Sequence, residues 1–143
     1  MKKQEQILLH EDDELSEILG MSVVSRVLLQ AWPLSFVERI TLSDDTSRIY
    51  KTFYNLPVET EFYWRIQSRH IPKVFYNKSD GDQHWLILED IKGRQSLENL
   101  DREKSLDLAR QARMIVNEIG SAEPYRFNLS KIGYSTFAYT TIE

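Results

Sequence analysis

Lys51 and Glu59 are the side chains whose types and spacing best suit a held charge. They lie in SRIYKTFYNLPVETEFYWRI, residues 47–66. Side chains alternate faces along a strand, so Ile49, Lys51 and Phe53 share one face and Arg48, Tyr50, Thr52 and Tyr54 the other. Lys51 is thus expected on the more apolar side. An ammonium buried without a partner is costly or surrenders its proton, so the lysine calls for an anion. Pro57 suits the first turn of a helix that should run to about Arg69. There Glu59, Phe62, Tyr63 and Ile66 fall at i, i+3, i+4 and i+7, which puts Glu59 on or beside the apolar stripe, while Glu61 turns with Trp64, Arg65 and Ser68 toward another face. Glu59 is therefore the better-placed partner. The plainer alternative is a solvated strand lysine and a first-turn glutamate that compensates the helix dipole.

Other chemistry has less to work with. The chain has no cysteine, hence no disulfide framework and no thiolate site, and its histidines, His10, His70 and His84, are too scattered to supply the usual ligands of a zinc site. Eighteen basic and 22 acidic residues give a formal charge of -4. Neither sign forms a long block, so a nucleic-acid or anionic-membrane partner is not expected. The apolar run Ile7–Leu9 is far too short for a signal peptide core or a membrane span, and a cytoplasmic chain is expected.

The elements that must position Lys51 and Glu59 follow from pattern. A chain of 143 residues with 41% hydrophobic content supports one moderate core and one compact domain. Leu8, Leu15, Ile18 and Leu19 predict an N-terminal helix within residues 1–22, packed on the domain and ended by Gly20. From Val23 to Tyr54, β-branched and aromatic residues are interrupted near Trp32-Pro33 and at the turn-forming SDDT of residues 43–46, which predicts a three-stranded antiparallel meander. After the Glu59 helix, residues 71–77 and 84–91 read as two more strands around a turn at Gly81. Residues 101–119 predict a long helix with Leu108, Ala112, Ile115, Val116 and Ile119 as its buried stripe and Gly120 at its end. Trp32 reads as core, and the two acids after Leu88 as a polar strand end. The expected fold is α+β: a five-stranded, mostly antiparallel sheet with one packed helix, then a long helix and an irregular or β tail from residue 121.

Ile49-Tyr50-Lys51 in the third strand, VETEFYWRI in the helix, IPKVFY in the fourth strand and LILEDIKGR after the fifth occur in an order that resembles the N-terminal lobe of the aminoglycoside and choline phosphotransferase-like kinases. The likeness spans roughly residues 20–120. It implies a kinase-like lobe over residues 23–91, and a hinge and the start of a C-terminal lobe over residues 92–120. By the same resemblance Lys51 would contact the phosphates of ATP bound with Mg²⁺, and Glu59 would hold its ammonium in place. The backbone carbonyl of Glu89 and the backbone N–H of Ile91 would face the adenine edge, with Leu88 beside the ring.

Two departures bear on function. The connection between the first two strands, LLQAWPLSFVERI, has no glycine, although phosphate-cradling backbone is most accessible where Cβ atoms are missing. The sequence also contains no His-Gly-Asp loop and no later acidic motif, the groups with which that family positions the acceptor and metal. The expectation is the nucleotide-binding half of a small-molecule kinase that does not catalyse transfer alone, completed by a C-terminal lobe or paired as a homodimer. The alternatives are a catalytically inactive binding or regulatory module, and an unrelated α+β protein in which Lys51 and Glu59 lie far apart.

Overall fold

The computed structural model describes residues 7–54, 58–92 and 100–122, the last three by backbone alone. Its elements are α1 (Asp12–Leu19), β1 (Val23–Trp32), β2 (Ser35–Leu42), β3 (Ser47–Tyr54), α2 (Val58–Arg65), β4 (Val74–Asp80), β5 (Gln83–Glu89) and α3 (Arg102–Ala122). The five strands form one sheet in the order β1-β2-β3-β5-β4, with every neighbouring pair antiparallel. The α+β class and five-stranded antiparallel sheet follow the sequence pattern.

Local chemistry sets the turns. Trp32 pairs with Ser35 across Pro33–Leu34, so the glycine-free connection is a two-residue hairpin. Between β2 and β3, the Asp44 carboxylate accepts from the Thr46 N–H at 3.0 Å and its hydroxyl at 2.6 Å, while Asp45 takes a φ of 63°, a region Asp tolerates better than most residues. Gly20, at φ 67°, closes α1 as expected.

The register assigns side chains to two faces. Lys51 lies opposite Val37 and Leu86, Ile49 opposite Arg39 and Leu88, and Phe53 opposite Ser35 and His84. Together these make the α2 face, where Phe53, Leu86 and Leu88 cluster with Ile49, Tyr63 and Val74. Tyr50, Ile40, Trp85 and Ile87 point the other way, into a cluster with Leu15, Ile18 and Leu19 from α1. The Lys51 side of β3 is apolar as the sequence pattern predicts, but Tyr50 and Thr52 on the other side are wholly buried, so the face opposite Lys51 is covered more deeply. The reason is non-local, because the N-terminal segment covers that face.

That segment crosses the sheet as a strap. Gln83 Nε2 donates to the Leu8 carbonyl at 2.7 Å and Gln83 Oε1 accepts from the Leu8 N–H at 3.1 Å; Trp85 Nε1 also donates to the Leu8 carbonyl, at 3.0 Å. The Tyr50 hydroxyl lies 3.0 Å from both the His10 N–H and His10 Nδ1. Arg26 Nε donates to Glu38 at 2.9 Å, and its Nη1 bonds the His10 carbonyl and Asp12. Leu8 is therefore outside the helix and 64% exposed, serving through its backbone.

Several boundaries and one stripe differ from expectation. α2 ends at Arg65 rather than Arg69, and β4 begins at Val74, three residues after the predicted start. The α3 stripe is covered only in part: Leu108 is 43% and Val116 67% exposed, whereas Ile115 and Ile119 are half-buried, and the helix continues through Gly120 to Ala122. Its period is helical, but periodicity does not supply a packing partner. Pro57 and the tail from residue 123 lie outside the described residues. No helix among the described residues is long and apolar enough to cross a membrane.

Candidate functional site

β3 and α2 bring the first pair together. Lys51 Nζ lies 2.6 Å from both Oε1 and Oε2 of Glu59, and its side chain is 23% exposed against 44% for Glu59. The contact is possible because β3 presents Lys51 on the α2 face and Glu59 occupies the first turn of α2. The ammonium also lies 5.2 Å from the centre of the Phe53 ring. Its surroundings are apolar on both flanking strands, with Val37 opposite it on β2 and Leu86 on β5.

Farther along β5 the same face leads to Leu88, which is buried; Ile91, which is 52% exposed, follows past the last β3–β5 pairing at Arg48 and Glu89. The backbone at Ile91 is thus outside the ladder. Glu89 is turned away and closes the sheet end, with its N–H donating to the Lys73 carbonyl at 2.8 Å and its carboxylate accepting from the Lys73 N–H at 3.1 Å. Lys51, Glu59 and Leu88 share one side of the domain, whereas the Glu89 side chain does not.

Asp90 is more than a polar strand end. Its side chain is 1% exposed, and its Oδ2 accepts from Arg39 Nε at 2.8 Å, Ser47 Oγ at 2.6 Å and Lys92 Nζ at 3.1 Å. Burial alone would raise its pKa, but the Ser47, Lys92 and Arg39 bonds prevail and hold the carboxyl at about 2. The network ties the chain after β5 to the start of β3 and the middle of β2, and so anchors the segment that carries Ile91. The signal was available: His84, Leu86, Leu88 and Asp90 alternate onto one face, and a carboxylate in register with apolar residues needs a cation just as Lys51 needs an anion. Glu38 in FVERI, which holds Arg26 on the opposite face, follows the same rule.

The β1–β2 hairpin departs from a phosphate-cradling loop. Trp32, expected in the core, is 65% exposed at the hairpin end. A concavity of about 510 Å³ lies away from Lys51, between α2 and the β4–β5 hairpin, lined by Thr60, Glu61, Trp64, Asn77, Ser79 and His84 among others. Here Ser79 Oγ and His84 Nδ1 are 2.7 Å apart, and burial lowers the pKa of the imidazole. Glu61 and Trp64 share this side of α2, as their spacing predicts.

Comparison with known proteins gives no match to a family pattern, a curated protein or a solved structure. Among the described residues, no group of three or more His, Cys, Asp or Glu side chains is arranged to hold a metal ion.

Proposed function

We propose that this chain is the nucleotide-binding half of an ATP-dependent small-molecule phosphotransferase of the aminoglycoside and choline kinase-like type. The observation that carries the reading is the contact between Lys51 on the third strand and Glu59 on the helix that follows it. A flexible ammonium held by a fixed carboxylate is suited to phosphate oxygens. Val37 and Ile49 on the same face are half-buried and Leu88 lies buried beside Ile49, an apolar lining suited to a planar base, and the backbone at Ile91 lies free of the ladder. These residues fit an adenine nucleotide. They do not fit its Mg²⁺, since the described residues offer no cluster of acids. The proposal therefore stops at binding and assigns no transfer step to this chain.

Calorimetric titration with ATP and Mg²⁺, run beside Lys51→Ala, tests the reading. Binding lost in the variant supports it; equal affinity in the two proteins, or no binding at millimolar ATP, removes it.

A second reading rests on the exposed part of the α3 stripe, where Leu108 and Val116 face solvent. An inactive binding or regulatory module, completed by another lobe or a second copy, would use such a surface and would be indifferent to Lys51→Ala.

A further inference from the structure

We infer that the outer edge of β1 is a self-association surface, through which two copies of this chain pair strand to strand into one continuous sheet. β1 is terminal in the strand order, so among the described residues its outer backbone groups have no neighbour within the sheet. A sheet edge of this kind is a template for another strand unless it is blunted. Edge strands are usually blunted by Lys, Pro, unpaired charge or bulges; VVSRVLLQAW has no Lys or Pro, and its two register irregularities flank Ser25–Leu28 and do not interrupt it. Its single charge, Arg26, is already neutralised by Glu38 and Asp12.

The side chains along the edge indicate the partner. Val24 is 59% exposed, Val27 53%, Leu28 52%, Leu29 41% and Trp32 65%, with Leu34 at 48% just beyond the strand. The register places Val27 and Trp32 on the α2 face, opposite Arg39 and Ser35, and Leu28 on the α1 face, opposite Glu38. Apolar groups therefore border the edge on both faces of the sheet. An added strand must be apolar on both of its own faces and must bring no unpaired charge, and β1 itself is such a strand.

Register irregularities between Val23 and Ser25 and between Leu28 and Gln30 leave Ser25–Leu28 as the regular run between them. An antiparallel pairing centred near Val27 places each copy's regular run against the other's around a two-fold axis, so that like faces join and the contact is isologous. Val24, Val27, Leu28 and Leu29 with the strand backbone amount to roughly 350 Å² per chain, or about 700 Å² for the pair, the size of a weak, concentration-dependent interface. The inference does not depend on nucleotide binding.

Sedimentation of the full chain across a concentration series tests it, with Val27→Glu and Leu28→Lys as variants. The expected result is a dimer whose dissociation constant rises at least about tenfold in both variants, which set like charges near the two-fold axis. Amides of residues 24–30 should exchange more slowly as wild-type concentration rises, a readout that needs no variant to fold. A wild-type chain that stays monomeric at about 100 μM overturns the inference. A dimer that survives both substitutions with no protection of residues 24–30 overturns it too, because it would form elsewhere, as on the α3 stripe.

Discussion

Lys51 Nζ sits 2.6 Å from both carboxylate oxygens of Glu59, a contact that joins the third strand to the helix following it. Both side chains retain solvent exposure, so the pair contributes no more than about 1 kcal/mol to stability. Lys51→Ala should therefore leave thermal unfolding almost unchanged and, on the proposed nucleotide-binding role, abolish recognition of nucleotide phosphates. Glu59→Gln should weaken that recognition less, since the ammonium remains but loses its charged anchor. Calorimetry with ATP and with adenosine separates the two contributions: the substitutions should reduce affinity for ATP and spare adenosine.

Asp90 should matter more to the fold than the Lys51–Glu59 pair. Asp90→Asn removes a buried carboxylate that accepts from Arg39, Ser47 and Lys92, but Arg39 and Lys92 are exposed enough to be rehydrated. The expected loss is about 2 kcal/mol, seen as a lower denaturant midpoint. An unchanged midpoint would show that the network does not anchor the segment after β5.

The same carboxyl gives an acid limb to stability. Its folded pKa is depressed from 3.8 to about 2, so its stabilisation is complete above the unfolded value and disappears as pH falls from about 4 through 2. The fall should amount to about 2 kcal/mol. Unfolding measured between pH 2 and pH 6 should be steeper in wild type than in Asp90→Asn.

Tyr50 gives the opposite limb. Burial is the main reason its phenol is pushed up to about 12, although the His10 N–H bond opposes the shift. A neutral phenol is favoured in the folded state, so this contribution is full below pH 10 and is lost as pH rises from 10 to about 12. Tyr50→Phe should remove that dependence. At neutral pH it should cost about 1 kcal/mol and speed amide exchange at His10, because the strap loses its hydroxyl contacts.

Arg26 provides a contrast between two carboxylates. Glu38 is 11% exposed in its side chain and Asp12 62%. Glu38→Ala should destabilise by about 3 kcal/mol because it leaves a shielded guanidinium with the His10 carbonyl and a single, exposed carboxylate, Asp12. Asp12→Ala should cost less than about 1 kcal/mol. Equal losses in the two variants would contradict the burial difference.

Local pattern made much of this domain legible in its sequence. Alternation and turn chemistry placed the β1–β2–β3 meander, because strand period and turn residues act over a few positions. The pairing of Lys51 with Glu59 was also legible, since a charged side chain in register with apolar ones demands a counter-charge, and the next element offered one. Only tertiary structure decided which face of β3 is buried more deeply, because the strap at Leu8–His10 reaches Gln83 and Tyr50 across long sequence separations. It likewise decided that Asp90 gathers Arg39 and Ser47, that Trp32 is exposed, and that the α3 stripe is covered only in part. A periodic pattern records that a face is apolar. What covers that face depends on contacts between distant segments, and those are set by the packing of the whole chain.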